Sequence, residues 1–417
     1  MRVLLIGINY APEESGNAPY NTGFAEHLAQ QGHEVHFLAG VPHYPSWTRG
    51  QAKSGLINGV HVHRRWHFVP RSQSAPKRAL YEGTFLLTGA SLVGLPKPDS
   101  IMAIVPALSD GVLARIASRR FGVPYGIVFQ DLMGLAATES GIQGGRRVER
   151  VVRGTEGWLA RDAHSVGVIA EGFKPYLEAC GVGVDRIHRL RNWNQIPRAS
   201  EFRGLTRERL GWSPDDFVCL HAGNMGHKQG LESLLETAAL ARNDDPAVRF
   251  VLAGDGNRRR ELETRAEQMG LSNLQFMPSL ASQEYANVLA AADVLLLNQR
   301  PGMKSMAFPG KITSYVFSRT PIVAAVDADS DAARELLPGD AAVVVEPGNA
   351  VELMTRIRSL REQPEMRAAL AEAALAYGRQ HVTAEAALER WESFVLDVGS
   401  GGKPELEEVG YAGEAAA

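Results

Sequence analysis

A lysine set among glycines between a predicted strand and a predicted helix is the strongest chemical signal in the sequence. Lys228 lies in a loop with Gly223, Gly226 and Gly230, after the apolar run 217–220 and before a helical pattern. Glycines let backbone N–H groups approach a ligand closely, and the free N–H groups at a helix start favour an anion. We therefore predict a phosphate cradle, although the spelling is not that of the P-loop G-x-x-x-x-G-K-[ST].

A second basic turn follows in the same part of the chain. Arg300 comes at the end of a predicted strand, a loop with Gly302 and Gly310 follows, and Lys311 opens the next helical pattern. Here again cations and free N–H groups meet between a strand and a helix. Two such turns in one domain suit a diphosphate. The alternative interpretation is a loop with two solvated basic residues.

Carboxylates follow two other predicted strands. Asp131 comes after the apolar run 126–129, where a carboxylate can orient a substrate hydroxyl or accept its proton; the alternative is a helix cap. The segment 327–331 contains two D-x-D spellings. Such a pair can hold a divalent metal, but its position between a strand and a helical run favours capping of that helix. We predict no metal site.

Residues 64–81 are basic and partly aromatic. They contain five Lys or Arg residues and no acidic residue, interleaved with Trp66, Phe68 and Tyr81. This composition suits an anionic membrane surface or a lipid-phosphate acceptor. An ordinary basic loop is the alternative.

Composition limits the class of protein. A chain of 417 residues has room for two or more domains, and its formal net charge of −3 gives no reason to expect nucleic-acid binding. Cys180 and Cys219 are its only cysteines, too few for a disulfide framework. The N-terminal apolar run is too short for a secretion signal, and no run approaches the roughly 20 residues that span a bilayer. We expect a cytoplasmic protein, with peripheral contact at the inner face of the membrane as an option.

Short β-rich runs alternate with helical patterns, which predicts an α/β fold with parallel sheets. One unit of strand, glycine loop, helix and strand begins near residue 3, and a second begins near residue 218. We therefore predict two Rossmann-like, doubly wound domains that face a central cleft, with ligands at the carboxyl ends of the strands. Their predicted ranges are 1–200 and 201–378, followed by a helix at 379–397 that packs back on the first domain and a disordered tail at 398–417.

Individual elements follow from the same alternation. A helical stretch is predicted from about 352 through 391. The predicted strands are 3–6, 35–38, 126–129, 218–221, 249–253, 274–277, 293–297, 322–325 and 342–345.

A dinucleotide cofactor is disfavoured. The fingerprint G-x-G-x-x-G should follow a strand. Gly254 and Gly256 follow one, but Arg259 stands where the third glycine belongs, and the loop from Gly7 to Gly16 has the wrong spacing. We expect no bound cofactor.

These segments together resemble retaining glycosyltransferases of family 4, and within them the branch that acts in colanic acid, exopolysaccharide or O-antigen synthesis. The resemblance runs from residue 1 to about residue 396, with its motifs in family order. They are GINYAPEESGNAPYNTGFAEHLAQQGHEV from Gly7, HYPSW from His43, VPALSDG from Val105, FQDLMGL from Phe129, RNWNQI from Arg191, HAGNMGHKQGLE from His221, LAGDGNRR from Leu252, LLLNQRPG from Leu295 and FPGKITSY from Phe308.

The resemblance implies a GT-B fold, an N-terminal acceptor domain, a C-terminal nucleotide-sugar domain, retention of configuration and no obligatory metal. It also implies residue roles. The donor diphosphate would be held in the turns of Gly223, Asn224, Lys228, Arg300, Gly310 and Lys311. Gly16 and Asn17 would approach the donor phosphate or the acceptor, and Asp131 would lie beside the transferred sugar. Lys228 and Lys311 would stabilise the leaving β-phosphate and count, with Asp131, as catalytic.

Two departures from the family pattern affect what it implies, the first for the sugar contacts and the second, after Asp131, for the acceptor contacts. The wider family carries E-x7-E in the second domain, but this chain has no Glu between Glu284 and Glu335. The exopolysaccharide branch carries Pro-Ser-Lys there, and this chain has Gly310 in place of the serine. After Asp131 the chain has Leu132 and Met133 where the branch often has Trp-Pro or an acidic run.

We therefore predict transfer of a sugar from a UDP- or GDP-linked donor to a hydroxyl of a saccharide, lipid-linked or small-molecule acceptor. Two alternatives stay open: a sugar-nucleotide epimerase on the same fold, and a non-catalytic nucleotide-sugar-binding partner. The sequence leaves the donor base, the sugar and the acceptor open.

Overall fold

The chain folds into two compact units. The structure is a computed structural model that describes residues 1–14, 16–43, 48–70, 74–134, 146–303 and 309–401. Unit 1 comprises Met1–Asn192 together with the chain from Glu385, and unit 2 comprises Trp193–Ala384. The divisions therefore fall eight residues before the predicted border at residue 200 and six residues after the predicted border at residue 378.

Unit 1 is built on an eight-stranded sheet in the order β3-β4-β2-β1-β5-β6-β7-β8. All its neighbours pair in parallel except β3 and β4. The chain passes from β1 to β2 on one side and reaches β5 on the other, so the strand order reverses between β1 and β5. The strands are β1 Arg2–Ile6, β2 Glu34–Ala39, β3 Gly55–Ile57, β4 Val60–Arg64, β5 Ser100–Val105, β6 Tyr125–Phe129, β7 Ser165–Val168 and β8 Ile187–Arg189.

The helices of unit 1 connect these strands, and the last one comes from the end of the chain. Numbered in the order in which the described chain forms them, they are α1 Ala18–Gln30, α2 Ala75–Gly89, α3 Leu108–Phe121, α4 Arg146–Asp162, α5 Phe173–Ala179 and, after the helices of unit 2, α14 Ala384–Ser400. A short 3-10 turn, Val184–Arg186, precedes β8.

The returning helix α14 packs on the sheet of unit 1. The ring of its buried Trp391 contacts the Phe24 ring at 5.3 Å, and Ser100 Oγ donates to Val395 O at 2.7 Å. Gly126 makes room for this helix, because a Cβ there would lie 2.8 Å from the Phe394 ring. The helix continues through Ser400, so the prediction of a disordered tail from 398 is wrong for 398–400. Residues 402–417 lie outside the described residues.

Unit 2 is a six-stranded, fully parallel sheet in the order β11-β10-β9-β12-β13-β14. The predicted strands are confirmed to within one or two residues. They are β9 Phe217–Ala222, β10 Val248–Ala253, β11 Leu274–Met277, β12 Val294–Asn298, β13 Ile322–Ala325 and β14 Val343–Val345. Apolar side chains on both faces are buried against helices, which explains why these strands are continuous apolar runs.

The helices of unit 2 cover both faces of this sheet. The stretch predicted as helical from 352 to 391 is divided, because Pro364 begins a new helix and the chain turns again at Val382. The helices are α6 Arg203–Arg209, α7 Glu232–Asp244, α8 Arg259–Gln268, α9 Ser282–Ala291, α10 Lys311–Tyr315, α11 Asp331–Leu336, α12 Ala350–Glu362 and α13 Pro364–His381, with 3-10 turns at His227–Gln229 and Leu337–Gly339.

Candidate active site

The two basic turns predicted from the sequence flank one crevice of unit 2. Strand β9 leads through α7 to β10 on one side, whereas β12 lies on the other side of β9. The strand order therefore reverses between β9 and β12, and open α/β sheets bind ligands at the carboxyl ends of such a pair. The loop from Gly223 follows β9, and the loop from Gln299 follows β12.

The Gly223 turn rests on a third turn that comes from β10. Gly223 N donates to Ala253 O at 2.8 Å, and Met225 N donates to Asp255 O at 2.8 Å. The approach is so close that a Cβ on Gly254 would overlap the carbonyl oxygen of Gly223. The glycines at 254 and 256 thus form the floor of the anion turn. Their spelling suggested only a defective dinucleotide motif.

Lys228 and Arg300 are linked through their backbones. Lys228 lies in the 3-10 turn His227–Gln229, and its carbonyl accepts a hydrogen bond from Arg300 N at 2.8 Å. A Cβ on Gly230 would lie 3.0 Å from Arg300 Cα, so the glycine permits this approach. The loops that carry the two cations are therefore joined to each other. The Lys228 side chain is half-buried, and Arg300 is exposed.

The side chain of Lys311, in the second turn, lies against Gly223 in the first turn. It is the first residue of α10, Gly310 precedes it, and its Cε and Nζ both lie 3.3 Å from the position of a Cβ on Gly223. Burial of the ammonium group lowers the pKa of Lys311 to about 7. The amine therefore gains a proton readily when an anion comes beside it, because a nearby negative charge raises the pKa of a base.

His221 is a site residue that the sequence did not reveal. Its side chain is fully buried at the end of β9, and its Nε2 lies 3.2 Å from Lys311 Nζ. Burial, followed by the charge of Lys311, holds the pKa of His221 well below its usual range, so the imidazole is neutral. A lone histidine in an apolar strand is indistinguishable from a core residue in the sequence, which explains why it was missed.

The D-x-D segment braces the second turn. Asp327 Oδ2 accepts a hydrogen bond from Gly302 N at 2.7 Å. Helix α11 is capped by Ser330, whose Oγ accepts from Ala333 N at 3.2 Å, and Asp331 is only in its first turn. The expectation that the aspartates cap the helix was therefore wrong in detail, because the serine between them performs that role.

Arg258 braces the Lys228 turn from the opposite side. Its backbone N donates to Met225 O at 3.0 Å, and its guanidinium donates to Glu232 Oε1 at 2.5 Å. The same guanidinium lies 2.9 Å from His227 Nδ1. These contacts connect the residue before α8 to His227 in the 3-10 turn and to Met225 and Glu232 on either side of it.

The site residues predicted in unit 1 lie on its own sheet. Gly16 has a left-handed φ of +65°, and Asn17 precedes α1 and accepts a bond from Asn21 N at 3.0 Å through its carbonyl. This loop follows β1, at the point where the strand order of the first sheet reverses. Asp131 follows β6 and is half-buried. Since β5 lies between β1 and β6, their ends are two strand spacings apart, about 10 Å.

A buried polar network supports the β1 loop. Glu13 accepts hydrogen bonds from Asn9 Nδ2 at 2.9 Å and from His43 N at 2.7 Å. The His43 ring lies 3.4 Å from the same carboxylate, and its Nε2 is 3.1 Å from the Tyr81 hydroxyl. The network connects the GINYAPEESGN and HYPSW motifs, although residues 44–47 of the latter lie outside the described residues.

Six predicted site residues are thus assembled at one crevice: Gly223, Asn224, Lys228, Arg300, Gly310 and Lys311. The other three, Gly16, Asn17 and Asp131, lie at the carboxyl end of the first sheet.

Comparison with known families matches both units. The family described as Glycosyl transferases group 1 matches residues 202–376, and the family described as Glycosyl transferase 4-like domain matches residues 15–193. The chain belongs to the family 4 glycosyltransferases. A curated relative of this glycosyltransferase is WcaI of Escherichia coli K12, described as a colanic acid biosynthesis glycosyl transferase. It is 29% identical over 375 residues, which cover 86% of this chain and 91% of WcaI.

Solved structures confirm the GT-B fold of the glycosyltransferase. Sucrose-phosphate synthase of Thermosynechococcus elongatus matches with a TM-score of 0.77 at 15% identity, over 96% of this chain and 100% of that one. HepE of Anabaena in complex with UDP-glucose matches with a TM-score of 0.69 at 18% identity, over 95% of this chain and 100% of that one.

Within the described ranges, the glycosyltransferase has no cluster of three or more His, Cys, Asp or Glu side chains that could hold a metal ion. His63 and His67 have the four-residue spacing of a helical ligand pair. However, His63 is on β4, which ends at Arg64, so the spacing does not place the two rings on one helix face.

Proposed function

We propose that the chain transfers a sugar, with retention of configuration, from a UDP- or GDP-linked donor to a hydroxyl of a saccharide, lipid-linked or small-molecule acceptor. The observation that carries the proposal is the convergence of Lys311 Nζ, the Gly223 turn and the Lys228–Arg300 loop at the point where the second sheet reverses its strand order. A diphosphate presents several anionic oxygens at once, and this arrangement offers cations and N–H groups from two loops to receive them.

The reaction places its developing charge on the leaving group. The bond between the anomeric carbon and the β-phosphate oxygen breaks, and the acceptor oxygen bonds to the same face of that carbon. The leaving phosphate takes the acceptor proton, so no protein nucleophile is required. Lys228 and Lys311 stabilise the negative charge on this phosphate, and preorganised charges of this kind are effective because they need no rearrangement during the reaction.

Unit 1 supplies the acceptor side of the proposed reaction. Asp131 orients the acceptor or the transferred sugar, and Gly16 and Asn17 contact the donor phosphate or the acceptor. We further propose a role in cell-surface polysaccharide synthesis, which the similarity to WcaI supports.

Nucleotide binding and transfer test the proposal together. A thermal-shift panel of UDP, GDP and TDP should show stabilisation by the nucleotide of the true donor, because a ligand that binds only the folded state raises Tm. Lys228→Ala and Lys311→Ala should each lose transfer and weaken that nucleotide's binding. Arg356→Ala, on the exposed face of α12, is the matched control and should behave as wild type. Normal turnover in both lysine variants would overturn the donor-site assignment.

The product distinguishes the alternatives. An isomerised donor formed without acceptor would identify an epimerase. Tight nucleotide binding without product over a broad acceptor panel would identify a non-catalytic partner. The proposed transferase gives a glycosidic product of retained configuration, and its rate is unchanged by EDTA because the lysines perform the role of a metal.

We also propose that α2 contacts an anionic membrane. Leu80 and Leu87 lie seven residues apart on one face of α2 and are 50% and 77% exposed, and Trp66 is 47% exposed nearby in the chain. Lys77 adds an exposed positive charge. No described helix is long and apolar enough to cross a membrane. Residues 71–73 of the predicted 64–81 segment lie outside the described residues.

Vesicle sedimentation tests this contact. Wild type should sediment with vesicles that contain phosphatidylglycerol and not with pure phosphatidylcholine vesicles. The double variant Leu80→Ser/Leu87→Ser should stay in the supernatant. Val351→Ser removes an apolar side chain of similar exposure, 66%, from α12 and should sediment as wild type does. Equal sedimentation of all three proteins would contradict the contact.

A further inference from the structure

We propose that His221 is a positioning residue for Lys311: its imidazole holds the Lys311 amine over the Gly223 turn without neutralising it, so that the charge is available to the donor diphosphate. The inference rests on the proposed function of the donor site. It assigns to His221 a role that a core histidine would not have.

The geometry places His221 directly beneath the lysine. His221 pairs with Leu252 in the register of β9 and β10, and its buried Nε2 lies 3.2 Å from Lys311 Nζ and 3.5 Å from Asn224 O. The same Nζ lies 3.3 Å from the position of a Cβ on Gly223. The amine is therefore held between the imidazole and the backbone of the anion turn, and a longer residue at 223 would displace it.

An imidazole suits this position because it can either accept or donate a hydrogen bond. It accepts a hydrogen bond from an ammonium through a bare nitrogen, and in its other tautomer it donates to a neutral amine or to Asn224 O. A carboxylate at the same place would form an ion pair with Lys311, keep it charged and repel the donor phosphates. The neutral histidine avoids both effects.

The other groups around Lys311 do not compensate its charge. The Tyr315 hydroxyl, on the same helix, is bonded to the backbone of Ala222, accepting from its N at 2.9 Å and donating to its O at 3.2 Å. In the part of the chain that the structure describes, His221 is the titratable side chain bonded to Lys311 Nζ. None of these contacts gives Lys311 an anionic partner, so an incoming diphosphate supplies one.

Proton uptake on donor binding follows from this arrangement. The pKa of Lys311 is lowered to about 7 by burial, and a bound diphosphate raises it again. At pH 8 the free amine is then largely unprotonated, and binding of the anion takes up a proton. The second phosphate ionisation of a nucleoside diphosphate is complete at this pH, so its own titration contributes little.

Titration calorimetry of UDP, GDP and TDP at pH 8, in two buffers of different ionisation enthalpy, measures this uptake. The nucleotide that binds wild type should take up close to one proton, and Lys311→Met should take up none. His221→Gln and His221→Glu form a matched pair of nearly equal size that differs in charge. The Gln variant should bind within about threefold of wild type with the uptake retained, whereas the Glu variant should bind at least tenfold more weakly without it.

The outcomes separate the two proposals. If wild type binds none of the three nucleotides, the proposed function fails and this inference fails with it. If wild type binds one of them with uptake near zero, the donor site stands, and the claim that Lys311 gains its proton on donor binding is overturned. Equal affinities of the Gln and Glu variants, with Tm values near wild type, would overturn the role of His221.

Discussion

Gly254 lies so close to Gly223 that a Cβ at position 254 would overlap the carbonyl oxygen of Gly223. Its φ of +139° is also one that side chains rarely adopt. Gly254→Ala should therefore displace the anion turn, with a loss of more than about 1 kcal/mol in the free energy of unfolding and a large loss of nucleotide affinity. Urea unfolding and calorimetry measure the two effects. Gly204→Ala, in open space within α6, is the control and should be neutral or slightly stabilising. Native affinity in Gly254→Ala would show that the two turns are not coupled.

Asp327 anchors the second basic turn through Gly302 N, so its removal should act on donor binding. Asp327→Ala should raise the KM for the donor several-fold with little change in Tm, because a single partly exposed hydrogen bond contributes about 1 kcal/mol. Asp327→Asn retains an acceptor oxygen and should stay near wild type. Initial-rate kinetics with varied donor distinguish these results. If the D-x-D segment held a metal ion instead, Asp327→Asn and Asp329→Ala would lose activity to a similar extent, and activity would depend on added metal.

Gly310 occupies the place of the serine in the Pro-Ser-Lys pattern, and the backbone accepts a side chain there. Its φ is −53°, and a Cβ would meet no atom of the described residues within 4 Å. Gly310→Ser should therefore fold with a Tm within about 2 °C of wild type. The donor KM should be unchanged or lower, since the added hydroxyl is another hydrogen-bond donor beside Lys311. Differential scanning fluorimetry and kinetics check both values; a KM raised tenfold would show that the missing side chain is needed for space.

One buried and two half-buried histidines of unit 1 predict a loss of stability in acid. Burial lowers the pKa values of His63, His67 and His188 to about 4. Between about pH 6.5 and 4 the unfolded chain binds more protons than the folded protein, so the free energy of unfolding falls as pH falls through this window. His67→Phe keeps a ring of similar size and removes one titrating group. Its free energy of unfolding should therefore decline less steeply as the pH falls, because unfolding takes up to one proton fewer. Urea unfolding at pH 7, 6, 5 and 4 measures this slope for both proteins. Parallel curves for the two proteins would contradict this assignment.

Local patterns were enough to predict the six strands of unit 2, three of the eight strands of unit 1 and the two basic turns. Each strand of unit 2 is a short apolar run bounded by glycine or polar residues. Because both faces of the sheet are buried, these runs are continuous and can be recognised in a single sequence. Lys228 and Lys311 were predicted as anion ligands because a cation and glycines recur between a strand and a helix. The sequence by itself thus determined where each turn lies and which cation it carries, whereas contacts with residues distant in the chain hold the two turns in place.

The tertiary structure decided which distant residues meet. The order of strands places β12 beside β9, and this brings Lys311 to His221, 90 residues apart in the chain. The same order places Gly254 under Gly223, and the return of α14 to unit 1 puts Trp391 against Phe24. None of these pairs shares a local pattern. Each arises because burial of apolar sheet faces selects one arrangement of strands and helices, and the polar contacts of the site are fixed by that arrangement.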